Sequence, residues 1–250
     1  SLTQATTAQT CLAQLSALAD DYLRQFWQGF PLLAQQACLC AVGGYGRGEV
    51  YPYSDIDLLC LLPETSNSAL DAQWEAFFGA CWDAGLEVAS SVRSVKQCLA
   101  ESAQDLSVQT ALLEARYLAG NQALFAQLQG EFGHAMQAPA FMQAKRAEAR
   151  ARHAKYQYTA YSLEPQVKEG VGSLRDVQLL YWLLRAAGLG HDWQHFWQDL
   201  QAAQILTASE AAELERSWGF LAGVRCRLHL LAERGEDRLL ADPLLRLGFA

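Results

Sequence analysis

The spacing of apolar residues changes along the chain, and with it the predicted structure. Leu12, Leu15, Leu18, Tyr22 and Phe26 recur at three- and four-residue steps over 10–28, which predicts an amphipathic helix that Pro31 ends. CLCAV (38–42) and IDLLCLLP (56–63) are short apolar runs bounded by Gly or Pro, the pattern of buried strands. Residues 68–84 place Leu70, Trp74, Phe77, Phe78 and Cys81 on one helical face, and LEVASSV (86–92), following Gly85, reads as a third strand. Beyond residue 95 the strand signal disappears. Residues 105–118 and 121–132 read as helices, and Pro139 precedes an Ala-rich helical stretch to about Leu163. EPQVKEGVG (164–172) is a loop. Ser173 with Asp176 forms a capping-box-like start to one helix, and Thr207 with Glu210 opens another that runs to about Ala232. The expected class is α+β and helix-rich: a small mixed sheet with helices over 1–120, then an all-helical domain over 121–250.

Composition narrows the functions available. Half of the residues are hydrophobic and 18% are charged, which excludes wholesale disorder, and no apolar run approaches the ~20 residues of a membrane span. The net charge of -8 argues against a protein that wraps nucleic acid through many phosphate contacts. Seven cysteines occur with no CxxC pair, so reduced, buried thiols are expected. The start, SLTQATTAQT, lacks a basic segment followed by an apolar block. Together these features predict a cytoplasmic protein with neither membrane nor nucleic acid as partner.

The chemistry is concentrated in AVGGYGRGEVYPYSDIDLLCLL (41–62). Gly43 and Gly44 let the backbone turn sharply and approach a ligand closely. Asp55 and Asp57, two apart on a strand, point to one side. Paired carboxylates beside a glycine turn suit hard divalent cations, and two Mg2+ ions there would clamp the oxygens of a phosphoryl displacement.

This combination resembles the signature of the DNA polymerase beta nucleotidyltransferase superfamily, whose third carboxylate comes from a later strand; Glu87 is the candidate. GGYGRGEVYPYSDIDLL (43–59), GLEVASSVR (85–93), LLEARYLAG (112–120) and YSLEPQVKEGVGSLRDVQ (161–178) occur in the order found in the bacterial PII uridylyltransferase family, which the chain resembles over its transferase half. HLLAERGEDRLLAD (229–242) fits the same family. Ser173 departs from it, standing where a second Gly is common. The resemblance implies a polymerase-beta-type fold and transfer of UMP from UTP to a tyrosine of the PII signalling protein. It implies Asp55, Asp57 and Glu87 as metal and catalytic residues. Gly43, Gly44, Arg47, Ser54, Lys168 and Arg175 become candidate nucleotide contacts, in a cleft between the two domains. Arg47 reads equally as a solvated loop residue, Ser54 as a turn cap, and Arg175 as a partner of Asp176 or Glu169.

The family's HD hydrolase and ACT domains are not expected in this sequence. His191–Asp192 spells HD, but it lies in a Gly- and Trp-bearing connection without an ordered ligand set. The basic run AKRAEARARHAK (144–155) reads mostly as a solvated helix face. The alternatives are another protein nucleotidyltransferase of the adenylyltransferase kind and a non-catalytic nucleotide-binding or docking module.

Overall fold

The computed structural model describes residues 7–65, 68–156, 158 and 164–239. They form two compact units. One comprises Ala13–Val50 and Asp55–Met136; the other comprises the described residues of Ser1–Leu12, Tyr51–Ser54 and Gln137–Ala250.

The first unit is built on a mixed four-stranded sheet. Helix α1 (Ala8–Gln28) leads through α2 (Pro31–Gln36), which Pro31 opens rather than prevents, to β1 (Cys38–Ala41). A single turn, α3 (Gly43–Gly46), follows, then β2 (Ile56–Leu62), α4 (Ser68–Asp83) and β3 (Val88–Ser94). Helices α5 (Val95–Ser102) and α6 (Leu106–Leu113), strand β4 (Arg116–Gly120) and α7 (Gln122–Ala135) complete the unit. The strand order is β3-β2-β1-β4. β1 runs antiparallel to both neighbours, whereas β2 and β3 are parallel.

Both faces of the central strands are buried, as the unbroken apolar runs imply. Leu39 and Ala41 of β1 join Ile56, Leu58 and Cys60 of β2 in a core with Leu23 and Trp27 of α1 and Leu70, Trp74 and Phe77 of α4. Cys38, Cys40, Leu59 and Leu61, of opposite parity, are buried on the other face. The cysteines are free thiols, six of them buried, and burial pushes Cys81 and Cys98 each up to about 11. No described helix is long and apolar enough to cross a membrane.

Two expectations are corrected here. The third strand begins at Val88 rather than at Leu86, because Leu86 is used to end α4. Its N–H donates to the Cys81 carbonyl while Gly85 turns at φ +76°, a Schellman-type closure. Residues 105–118 are not one helix: α6 stops at Leu113, and Arg116–Gly120 pairs with the open edge of β1. Tertiary pairing overrides the local helical pattern there.

The second unit is helical in its named elements: α8 (Ala138–Lys155), α9 (Leu174–Ala186), α10 (Phe196–Ala202) and α11 (Ala208–Ala232). Trp193, Phe196, Trp197 and Trp218 interlock, with Trp193 and Phe196 stacked at 5.0 Å. The expected end of α8 near Leu163 is replaced by one at Lys155; 157 and 159–163 lie outside the described residues, as do 240–242 of the last family-like segment. Thr207 and Glu210 form the anticipated capping box. Ser173 and Asp176 do not. The Ser173 hydroxyl donates to the Lys168 carbonyl, and Asp176 instead accepts from the Gly172 N–H.

Candidate active site

Strand directions bring the predicted chemistry to one end of the sheet. Ala41, at the end of β1, lies opposite Leu58 near the start of β2 and opposite Arg116 at the start of β4. Ile56 lies beside Val88 at the start of β3. The glycine turn, the aspartates and Glu87 therefore gather at a single edge.

Gly43 has φ +58°, and a Cβ on it would stand 2.6 Å from Asp57 Oδ2. The carboxylate thus occupies the space that a side chain would take. Only glycine satisfies both conditions. The next turn residue, Gly44, is half-exposed like Gly43, and its carbonyl accepts from the Glu49 N–H at 2.8 Å. Asp55 is exposed and Asp57 half-buried. Asp57 aligns with Ala89, and the ladder continues backward through Ile56 N–H to the Glu87 carbonyl at 2.8 Å. Side-by-side residues of neighbouring strands share a face. Glu87 therefore lies on the face of Asp55 and Asp57, while Leu86 and Val88 pack against the core beneath the other face. Asp55 and Glu87 both line an open cavity of about 400 Å³.

The carboxylates supply hard oxygen donors, which suit a divalent cation bound partly by protein and partly by phosphate oxygens. Among the described residues no three His, Cys, Asp or Glu side chains stand closely enough together to hold a metal ion. The three share a face and an end of the sheet without forming a closed cage.

The turn itself is clamped from within. Arg47 is buried, with Nε 2.6 Å from Glu49 Oε2 and its other end paired with Glu114. Burial opposes its charge, but Glu114 and Glu49 outweigh that and push its pKa upward. This corrects the reading of Arg47 as a solvated loop residue: the guanidinium is buried and paired with two carboxylates beneath the turn. Nearby, the Tyr45 hydroxyl donates to Asp20 Oδ1 at 2.6 Å, and Arg116 donates to both Asp20 oxygens at 2.7 and 2.9 Å. Burial would raise the Asp20 pKa, but the Arg116 and Tyr45 hydrogen bonds outweigh it and hold the carboxyl below its usual range. Burial, then Asp20, push the Tyr45 phenol up. Sequence reasoning missed Asp20, Tyr45, Glu49, Glu114 and Arg116. Glu114 and Arg116 do lie within LLEARYLAG, a segment singled out for its resemblance alone.

The remaining candidates belong to the other unit. Ser54 closes a turn, its N–H donating to the Tyr51 carbonyl at 3.1 Å. That turn is gripped by α11: His229 Nδ1 bonds the Pro52 carbonyl, and the Arg225 guanidinium sits 4.0 Å from the Tyr51 ring centre. Asp237 joins Arg225 at 2.6 Å and His229 at 3.3 Å. Lys168 is half-buried, and burial, followed by Arg225, pulls its pKa down. Arg175 pairs with Glu169 at 2.7 Å and lies over Trp182 at 5.4 Å, the structural alternative that its surroundings allowed. In the basic run, Lys145 is buried over Trp182 and Arg152 pairs with Asp176, so these two are not on a solvated face. The HD dipeptide is absorbed locally, with His191 bonded to Asp199 at 2.8 Å and Asp192 to His195 at 2.7 Å.

A glycine turn and same-face carboxylates at one end of a small mixed sheet define a nucleotidyltransferase fold, and residues 23–118 match the nucleotidyltransferase domain family. Residues 140–250 match GlnD PII-uridylyltransferase. The chain is 51% identical over 228 residues to the bifunctional uridylyltransferase/uridylyl-removing enzyme of Burkholderia orbicola (strain AU 1054), covering 91% of this chain and 26% of that protein. It is 50% identical, with the same coverage, to the protein of that name from Burkholderia mallei (strain ATCC 23344). By these matches the chain is similar to the PII-uridylyltransferase family over residues 140–250 and to the nucleotidyltransferase domain family over residues 23–118. It spans about a quarter of the length of the curated relatives it matches.

Proposed function

We propose that the unit of Ala13–Val50 and Asp55–Met136 is the transferase domain of a PII-uridylylating enzyme, moving UMP from UTP to a tyrosine hydroxyl of the PII protein. The observation that carries this reading is the packing of the Asp57 carboxylate against Gly43 at φ +58°. A phosphate chain approaching the half-exposed glycine backbone is thereby held beside Asp57 and the neighbouring Asp55. The match of residues 140–250 to GlnD PII-uridylyltransferase and the likeness to proteins named uridylyltransferase support the choice of uridylyl transfer over other nucleotidyl transfers.

In the proposed reaction the tyrosine oxygen attacks the α-phosphorus of UTP. The new O–P bond forms as the bond from α-phosphorus to the bridging oxygen breaks, and pyrophosphate leaves with that electron pair. The phenolic proton passes to a carboxylate at the site, Glu87 being the exposed one not assigned to the metal, and then to solvent. Asp55 and Asp57 would hold Mg2+, in two ions on the two-metal scheme, supplying charge stabilisation for the attacking and leaving oxygens. The clamped turn fixes the phosphate-facing backbone before substrate arrives, so little reorganisation is left for the reaction itself. Lys168 and Arg175 enter this proposal as contributors to nucleotide affinity only.

The test is transfer of label from UTP or ATP to purified PII in the presence of Mg2+. Label from α-labelled UTP on PII, lost on adding a chelator, is the expected result. Equal or preferential labelling from ATP would replace uridylyl with adenylyl transfer, and nucleotide binding with no label from either would leave a non-catalytic module.

A further inference from the structure

The cavity beside the carboxylates is more than a vestibule for the nucleotide. It is lined by Trp82, Leu86, Val88 and Ala89 as well as by Asp55 and Glu87. Trp82 stands at the end of α4, one residue beyond the buried Cys81, with 65% of its surface exposed. An indole left open to water beside a functional site forgoes the burial that most tryptophans obtain.

Strand order divides the site into two flanks. The glycine turn follows β1 on one side of β2; the cavity lies toward β3 on the other. The two flanks differ in character. At the turn the glycine backbone is half-exposed and suits phosphate oxygens. At the cavity the exposed carboxylate of Glu87, on the far side of Asp55 from the turn, offers acceptor oxygens to a neutral hydroxyl rather than donors to a phosphate.

We infer that this cavity is the acceptor subsite: it receives a planar aromatic side chain bearing a hydroxyl, presented by the partner protein, with the ring against Trp82 and the O–H toward Glu87. The inference rests on the transfer reaction proposed above. A ring fills the space between an apolar wall and a carboxylate rim, whereas the short stem of serine or threonine leaves the indole and the aliphatic wall wet. The competing occupant is the nucleobase, also flat and neutral. The two differ in which substrate's affinity depends on Trp82.

The experiment measures transfer by the full chain and by W82A and W82F, varying UTP and PII separately. W82A should raise KM for PII about tenfold, the worth of one lost ring contact, with KM for UTP unchanged and W82F recovering most of the loss. A rise in KM for UTP alone would assign the cavity to the base, and no change in either would remove the subsite. A second measurement does not need turnover. With nitrogen-15-labelled indoles, the Trp82 signal, identified by its absence in W82F, should shift on addition of PII and not on addition of UTP. A shift with UTP only, or none, overturns the inference. A shift with PII from a chain that transfers no label keeps the subsite and discards the proposed activity.

Discussion

Two halves of one sheet end could hardly be treated more differently by the fold. Around the glycine turn, Tyr45, Gly46, Arg47 and Glu49 are all buried, and every charge there has an opposite charge at hydrogen-bond distance. Next to the starts of β2 and β3, Asp55 and Glu87 stand exposed at the rim of an open cavity. The contrast separates what must be rigid before substrate arrives from what is completed by it. Backbone that meets phosphate gains from being fixed in advance. On the proposed reaction Asp55 and Glu87 meet a cation and an incoming hydroxyl, and their exposure leaves carboxylate oxygens open to both. Asp57 stands between the two regimes, half-buried and seated against Gly43.

The largest effect should come from the carboxylate that stands between the two halves. D57N keeps the side-chain volume but removes a charge that the reaction needs, so transfer should fall about a thousandfold, a loss of ~4 kcal/mol in transition-state stabilisation. Because the amide keeps the shape of this half-buried side chain, the melting temperature should fall by only a few degrees, about the cost of a modest substitution. Parallel losses of activity and melting temperature would show instead that Asp57 belongs to the clamped half.

Next comes the junction. G43A introduces a Cβ where Asp57 Oδ2 now sits, and it forces a left-handed residue to carry a side chain. The expected stability cost is about 1–2 kcal/mol. Transfer should drop more than that cost implies, about a hundredfold, because the carboxylate is displaced sideways by the new methyl. Denaturant unfolding and initial rates on the same preparation check the two numbers together. Retained activity would mean that the turn and Asp57 are not coupled.

The clamped half should answer in stability rather than in chemistry. E114Q leaves the buried Arg47 short of a charge partner, which costs about 3 kcal/mol in unfolding free energy. KM for UTP, measured well below the melting transition, should move less than twofold. If Arg47 were a triphosphate ligand after all, R47M would raise KM for UTP strongly while leaving stability nearly intact.

The division between halves also marks what the sequence revealed. The glycine pair, the Asp–apolar–Asp strand and the parity of Glu87 are local patterns, carried by turn chemistry and by the two-residue repeat of a strand. The strands on either side of the glycine turn were readable for the same reason. The clamp was not. Arg47 finds Glu114 sixty-seven residues away, and Arg116 finds Asp20 across ninety-six. No local periodicity encodes such pairs, and one sequence taken alone leaves a charged loop residue looking solvated. β4 was hidden for a related reason: its five residues become a strand only because β1 offers an edge. The start of β3 was displaced by two residues because Leu86 serves the helix before it, a Schellman closure that an apolar residue does not announce.

The smallest effect, and the finest test of the contrast, concerns acid. Asp20 is held below the usual carboxylate range; burial alone would raise it, but the hydrogen bonds from Arg116 and Tyr45 and the charges of Arg116 and Arg24 prevail. A carboxyl with a lowered folded-state pKa contributes stability that is fully present above its unfolded value, and that contribution is lost as pH falls through the folded one. At neutral pH, D20N should therefore be clearly less stable than the parent, because Tyr45 and Arg116 lose a charged acceptor. As the pH is lowered through the ordinary carboxylate range and below it, the parent should lose stability faster than D20N, so the gap between their denaturation midpoints narrows. A gap between parent and D20N that stays constant with pH would mean that Asp20 acts by packing alone, and the clamped half would then owe its rigidity to shape rather than charge.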